Sequence, residues 1–224
     1  FVRDPKGFPE QLRAEHGDVA YAHVLGSNTV FSRGTAFNRW LFKGENDYLQ
    51  NQWSRPTATL LGQDCVAMLN GDAHRQRRKL LNPYFHYNRM DDAIEMIDAT
   101  VKSHLDNWVN ADVVVLSMAT RALTFEIIAR YIFGEIDGLP IEAWREDFQI
   151  WTSGIFSVGI DLPFTRYGKA LQARKRLWKS LTEIVTQCQQ KELGNCILQS
   201  MFEIRDDEGQ PLSIETIVDE IQVL

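Results

Sequence analysis

Over most of this chain apolar residues recur at three- and four-residue intervals, the period of an amphipathic helix; only near the start do they alternate. Pro5 to His16 predicts a short helix with Phe8 and Leu12 on one side, closed by Gly17. Val19 to Leu25 and Thr29 to Ser32 read as two short strands around the turn Gly26-Ser27-Asn28. Thr35 to Phe42 is helical in pattern, whereas Gly44 to Pro56 is polar and aperiodic and reads as loop. An apolar stretch follows around Leu60-Leu61-Gly62.

From Gly71 onward the pattern is almost all helix. Asp72 to Tyr84 forms one segment, with Pro83 where it should end. Met90, Ile94, Ile97, Val101, Leu105 and Trp108 make a single stripe for the next. Leu116 to Phe133 is apolar on more than one face, as expected of a buried helix, and Gly134 stops it. A helix is expected from Ile141 to about Phe156, then an apolar, glycine- and proline-punctuated loop over Gly154 to Pro163. Leu171, Trp178, Leu181, Val185 and Cys188 mark a long helix, and Cys196 to Ile204 a short one. After the turn Asp206-Asp207-Glu208-Gly209, Ser213 is placed to cap a last helix carrying Ile214, Ile217, Val218 and Ile221. The reading is one mostly helical domain with a small sheet near its start.

That last helix is still apolar at Val223-Leu224, and the chain opens on Phe1; both ends read as cut. No run is apolar for long enough to span a bilayer, and an anchor lost upstream is left open; the cytoplasmic expectation rests on the cysteines. A hydrophobic fraction of 44% argues for a folded core, and a net charge of -6 argues against nucleic acid as a partner. Cys65, Cys188 and Cys196 are odd in number and lack C-x-x-C spacing, so they read as reduced, buried thiols. His16, His23, His86 and His104 have no metal-ligand spacing, and no phosphate loop or nucleophile elbow occurs. No catalytic or metal-ligating residue is therefore assigned.

The chemistry concentrates in Gly71-Asp72-Ala73-His74-Arg75-Gln76-Arg77-Arg78-Lys79-Leu80-Leu81. His74 and Arg78 are four apart and share a helix face, where a guanidinium and an imidazole can clamp a carboxylate or phosphate. Arg75 and Lys79 form a neighbouring pair expected to point outward. The plain alternative is a solvated basic face.

With Leu60-Leu61-Gly62 before it and Asn82-Pro83-Tyr84-Phe85 after it, this segment resembles the C-helix region of cytochromes P450. Phe8-Pro9 to Val19 is similar to the family's helix A and first strand, Phe148 to Phe164 to its F helix and F–G loop, and Arg205 to Ile221 to the entry of its I helix. The resemblance covers essentially the whole chain and is nearest to bacterial and cyanobacterial members and to retinoid and fatty-acid hydroxylases. It implies a mainly α cytochrome P450 fold, with residues 1–224 as the N-terminal part of a single domain, from helix A to the start of helix I. The A-G-x-x-T motif would begin just past Leu224, with the family's E-x-x-R pair and F-x-x-G-x-x-x-C loop further on, so the thiolate ligand of heme b would lie outside these residues and the fragment alone would be inactive.

On this resemblance His74 and Arg78 match the residues that hold a haem propionate. The intact protein would be a monooxygenase that hydroxylates or epoxidises a lipophilic substrate (fatty acid, terpenoid or retinoid), using O2 and electrons from a ferredoxin or flavodoxin. Leu60, Leu61, Cys65, Val66, Phe156, Val158 and Ile160 would line the substrate pocket, although core packing explains each of them too. Arg75 and Lys79 would dock the donor. A peroxide-dependent or isomerising haem-thiolate relative, or a helical binding protein without haem, are the alternatives.

Overall fold

In a computed structural model of the chain, residues 4, 6–24, 27–44, 47–62, 65–85, 93–134, 136, 138–194, 196–205 and 209–223 are described. Gly26 of the expected hairpin turn, His86, Met90 and the Asp206-Asp207-Glu208 turn lie outside them. Two compact units divide the chain, Phe1–Asn51 and Gln52–Leu224.

The first unit holds α1 (Gly7–His16), an antiparallel pair β1 (Val19–Val24) and β2 (Ser27–Ser32), and α2 (Thr35–Lys43). Register runs from Val19 opposite Ser32 to Val24 opposite Ser27. Phe8 of α1 packs edge-on against Phe31 of β2, with ring centroids 5.7 Å apart, and Arg33 donates to both oxygens of Glu10 at 2.8 Å.

Helices α3 (Arg55–Leu61) and α4 (Gly71–Leu81) begin the second unit, and a short 3-10 turn over Asn82–Phe85 closes α4. Pro83 accounts for that early end, since it offers no N–H to continue the α ladder. Helix α3 takes the last two residues of the expected loop, Arg55 and Pro56, together with the apolar stretch that follows. The Ser54 side chain accepts from the Thr57 N–H at 3.4 Å, and Pro56 sits in the first turn, where a missing N–H costs nothing. Proline there read as the end of a loop, when it was the start of a helix.

The remaining helices are α5 (Ile94–Val109), α6 (Leu116–Phe133), α7 (Ile141–Gly154), α8 (Arg166–Cys188), α9 (Ile197–Glu203) and α10 (Ile214–Val223). The Ser213 hydroxyl accepts from the Thr216 N–H at 3.1 Å, so the expected cap of α10 is present. Helix α6 differs from expectation: only Ala129, Ile132 and Phe133 are buried, while Leu116 and Met118 in its first turn are exposed.

Helices α7 and α8 form the bed of this unit. A side chain at Gly154 would bring Cβ to 2.2 Å from that of Ala170, and one at Gly168 would meet the Leu162 carbonyl oxygen at 2.0 Å. Both contacts need the missing side chain. Around them, the Trp144 indole donates to Ser180 Oγ at 2.8 Å and the Trp151 indole to the Leu60 carbonyl at 2.8 Å, so these two buried rings keep their N–H groups satisfied.

On this bed lies α10, whose residues from Ile217 to Gln222 are all buried. Two of them are acidic. Asp219 accepts from the Trp178 indole at 3.1 Å and lies 3.5 Å from an Arg174 nitrogen. Glu220 is 0% exposed; one oxygen accepts from the Val66 N–H at 3.1 Å and the other from Arg77 of α4 at 2.5 Å. The turn that supplies Val66 is itself braced, by Met68 N–H on the Cys65 carbonyl and the Trp53 indole on the Ala67 carbonyl, both at 2.9 Å.

Burial pushes the Glu220 carboxyl above its ordinary range, outweighing the Val66 N–H and the Arg77 charge, which favour the anion. The folded state therefore keeps this proton at pH values where the unfolded chain has released it. Stability contributed by Glu220 falls as pH rises from the ordinary glutamate range through the raised folded value. In Glu220→Gln that slope should flatten by up to about one proton, or about 1.4 kcal/mol per pH unit, in denaturant titrations across the window. An unchanged slope would show that Glu220 titrates normally. Separately, Gly168→Ala should destabilise the protein by about 1–3 kcal/mol, read as a lower denaturation midpoint at unchanged m-value.

Candidate functional site

Helix α4 carries most of the site. Asp72 stands in its first turn and Arg78 and Lys79 in its last, a distribution that suits the helix dipole. Leu81 is buried, and Arg77, three residues beyond His74, turns inward to Glu220 with 18% of its side chain exposed. His74 is half-buried on the same side as Arg77, while Arg75, Arg78 and Lys79 are exposed; His74 and these three, with Asn82 and Pro83, line a surface depression of about 630 Å3.

The cations there are not equivalent. Arg75 is paired with Asp72 at 3.0 Å, one turn back on the same helix. Among the described residues no carboxylate pairs with His74, Arg78 or Lys79. His74 is half-buried and Arg78 exposed. In a chain of net charge -6, a depression with imidazole, guanidinium and ammonium groups and, among the described residues, no acid on its wall suits an anion. A carboxylate such as a haem propionate fits that donor set. Arg75 and Lys79, expected on a separate outward face, are exposed but share the same depression.

The expected substrate residues divide into two groups. Leu60, Leu61 and Cys65 are buried in the core, and Val66 is half-buried with its N–H held by Glu220. Phe156, Val158 and Ile160, on the segment after α7, are 86%, 75% and 50% exposed. The two segments do run side by side: the Thr57 hydroxyl donates to the Ile155 carbonyl at 2.8 Å, and Pro56 packs on Gly159. Their side chains are not brought onto a common wall, since one set faces the core and the other solvent.

A different apolar cavity, of about 640 Å3, lies between α6, α7, α8 and α10. Phe125, Ile128, Phe148 and Thr152 line it, and so does Gln222, whose buried amide has no hydrogen-bond partner among the described residues. Sequence reasoning missed these positions. The i, i+3 and i+4 spacing of Phe125, Ile128 and Ala129 was visible, but it reads equally as core packing.

All three cysteines are buried, and burial pushes each thiol up, as expected of unreactive packing residues. Among the described residues there is no cluster of potential metal ligands, and no helix is long and apolar enough to cross a membrane.

No protein-family model matches the chain. A putative cytochrome P450 120 from Synechocystis is 31% identical over 220 residues, 97% of this chain and 49% of that protein. Human cytochrome P450 26B1 is 26% identical over 218 residues, 95% of this chain and 43% of that protein. The chain thus spans about half the length of the curated relatives it matches. Among solved structures, retinoic acid-bound cyanobacterial CYP120A1 superposes with a TM-score of 0.89 at 30% identity, over 98% of this chain and 51% of that one. A cytochrome P450 OleT variant in complex with arachidonic acid shares the fold, with a TM-score of 0.82 at 15% identity, over 99% of this chain and 55% of that one. With its helical order, its two-stranded antiparallel sheet and these similarities, the chain has the N-terminal portion of the cytochrome P450 fold and is homologous to cyanobacterial members of that family.

Proposed function

We propose that residues 1–224 are the N-terminal part of one haem-thiolate monooxygenase domain, and that His74 and Arg78 hold a propionate of its haem. The carrying observation is the cationic depression of α4, whose His74 and Arg78 have no acidic partner among the described residues. Haem bound through a cysteine thiolate from outside these residues would supply dioxygen activation for oxygen insertion into a C–H or C=C bond. The part taken by this chain is retention. His74, half-buried, offers one ring N–H, and Arg78 offers a fork of donors on the same face.

A lipophilic substrate is supported by the ligands named for two proteins of this fold, retinoic acid and arachidonic acid. Fatty acids, terpenoids and retinoids all suit an apolar wall, which selects mainly by shape. The exposed Phe156, Val158 and Ile160 are assigned to the entrance of the pocket, and Val66, with buried Leu60, Leu61 and Cys65 behind it, to its inner side. Lys79 is the cation assigned to an acidic electron donor of ferredoxin or flavodoxin type, because Asp72 already partly neutralises Arg75.

The deciding experiment is a carbon monoxide difference spectrum of the reduced full-length protein. A strongly red-shifted Soret band is expected; no haem signal after reconstitution would overturn the reading. Within it, Arg78→Ala should lower haem content more than Arg75→Ala does, measured as haem per polypeptide. Equal occupancy in the two variants would remove Arg78 from the propionate site.

A further inference from the structure

Arg77 stands apart from the other cations of α4. It is directed into the protein, where Glu220 of α10 receives it and takes a second hydrogen bond from Val66 N–H. A pair this deeply placed is not explained by stability alone. Replacing a buried ion pair with apolar groups of similar volume is often neutral or stabilising. What the pair supplies and an apolar contact does not is direction: charge-assisted hydrogen bonds between fixed groups tolerate little rotation.

Direction matters at this place in the helix. Each residue turns the α-helix by about 100°, so the rotation that seats Arg77 on Glu220 also sets where its neighbour Arg78 and, three residues back, His74 project. Leu81, buried, and Leu80, packed half-buried against the core, hold the last turn of α4, and Arg77 is the polar contact that fixes its direction one turn earlier. Glu220 is in turn held from behind, on a helix buried on all sides from Ile217 to Gln222.

We infer that Glu220 is a positioning residue for the anion-holding face of α4: through Arg77 it fixes the rotation that aims His74 and Arg78 at the propionate. This rests on the haem reading above. It also connects two elements 143 positions apart, so the rigidity of α10 is transmitted to the propionate-holding side chains.

The test is a double-mutant cycle on the full-length holoprotein, following haem transfer to excess apomyoglobin. Arg78→Ala should speed transfer on the order of tenfold in the native background, and by less than about threefold in Glu220→Gln, where the guanidinium is already misdirected. An undiminished effect in Glu220→Gln overturns the positioning role and leaves the haem reading standing. No acceleration by Arg78→Ala in the native background overturns both. If Glu220→Gln yields no holoprotein, the same cycle is run on Arg77→Lys, which keeps the charge but loses the fork; there too an undiminished effect overturns the inference. The resonance Raman propionate bending band supplies a second readout. It should shift in Glu220→Gln as it does in Arg78→Ala, whereas a lowered melting temperature with an unmoved band would mark Glu220 as merely structural and overturn the inference.

Discussion

A carboxylate with 0% exposure is tolerated in a protein only where donors surround it, and Glu220 has its donors from two directions. The Val66 N–H comes from a braced turn and the Arg77 guanidinium from α4, so this one side chain fastens α10 to two segments 154 and 143 positions before it. The cost of dehydrating a charge makes the arrangement demanding. If either donor moves away, the other contact does not compensate. The inner face of α4 is therefore held with a directionality that its apolar contacts, Leu80 and Leu81, do not supply.

The same constraint explains the density of polar detail around α10. Asp219, next along, is matched by the Trp178 indole and Arg174, and both come from α8. Helix α8 can stand that close because Gly154 and Gly168 let α7 and the Leu162 segment approach without side chains between them. Gly62 makes a comparable allowance on the other side. It has φ +95°, and a Cβ there would sit 3.0 Å from Arg174 and 3.2 Å from Asp219. Close helix packing and buried charge are thus parts of one solution: tight backbones keep water out, and the excluded water makes the remaining hydrogen bonds necessary.

The proposed function draws on which cations this network leaves over. Arg77 is turned inward and Arg75 is answered by Asp72, leaving His74, Arg78 and Lys79 without acidic partners among the described residues. A run of basic residues that looks uniform along the chain becomes, once folded, one structural anchor, one partly neutralised charge and a face that can accept a carboxylate. The homology to cyanobacterial P450 proteins gives that face a ligand to be judged against.

Features set by neighbours in sequence were legible before folding. The stripe through Leu171, Trp178, Leu181 and Val185 gave α8, Ser213 gave the cap of α10, and the four-residue spacing of His74 and Arg78 put them on one face. Each depends only on helical period and local hydrogen bonding, which the residues carry with them. Other features depended on partners far away. Nothing local separates Arg77 from Arg78, because the difference is made by Glu220, 143 positions on. Nothing local sends Leu60 and Cys65 into the core while leaving Phe156 in solvent, because all three are simply apolar until other elements cover some and not others. The helix faces were thus set by spacing along the chain, whereas the use of each face was decided by what long-range packing placed against it.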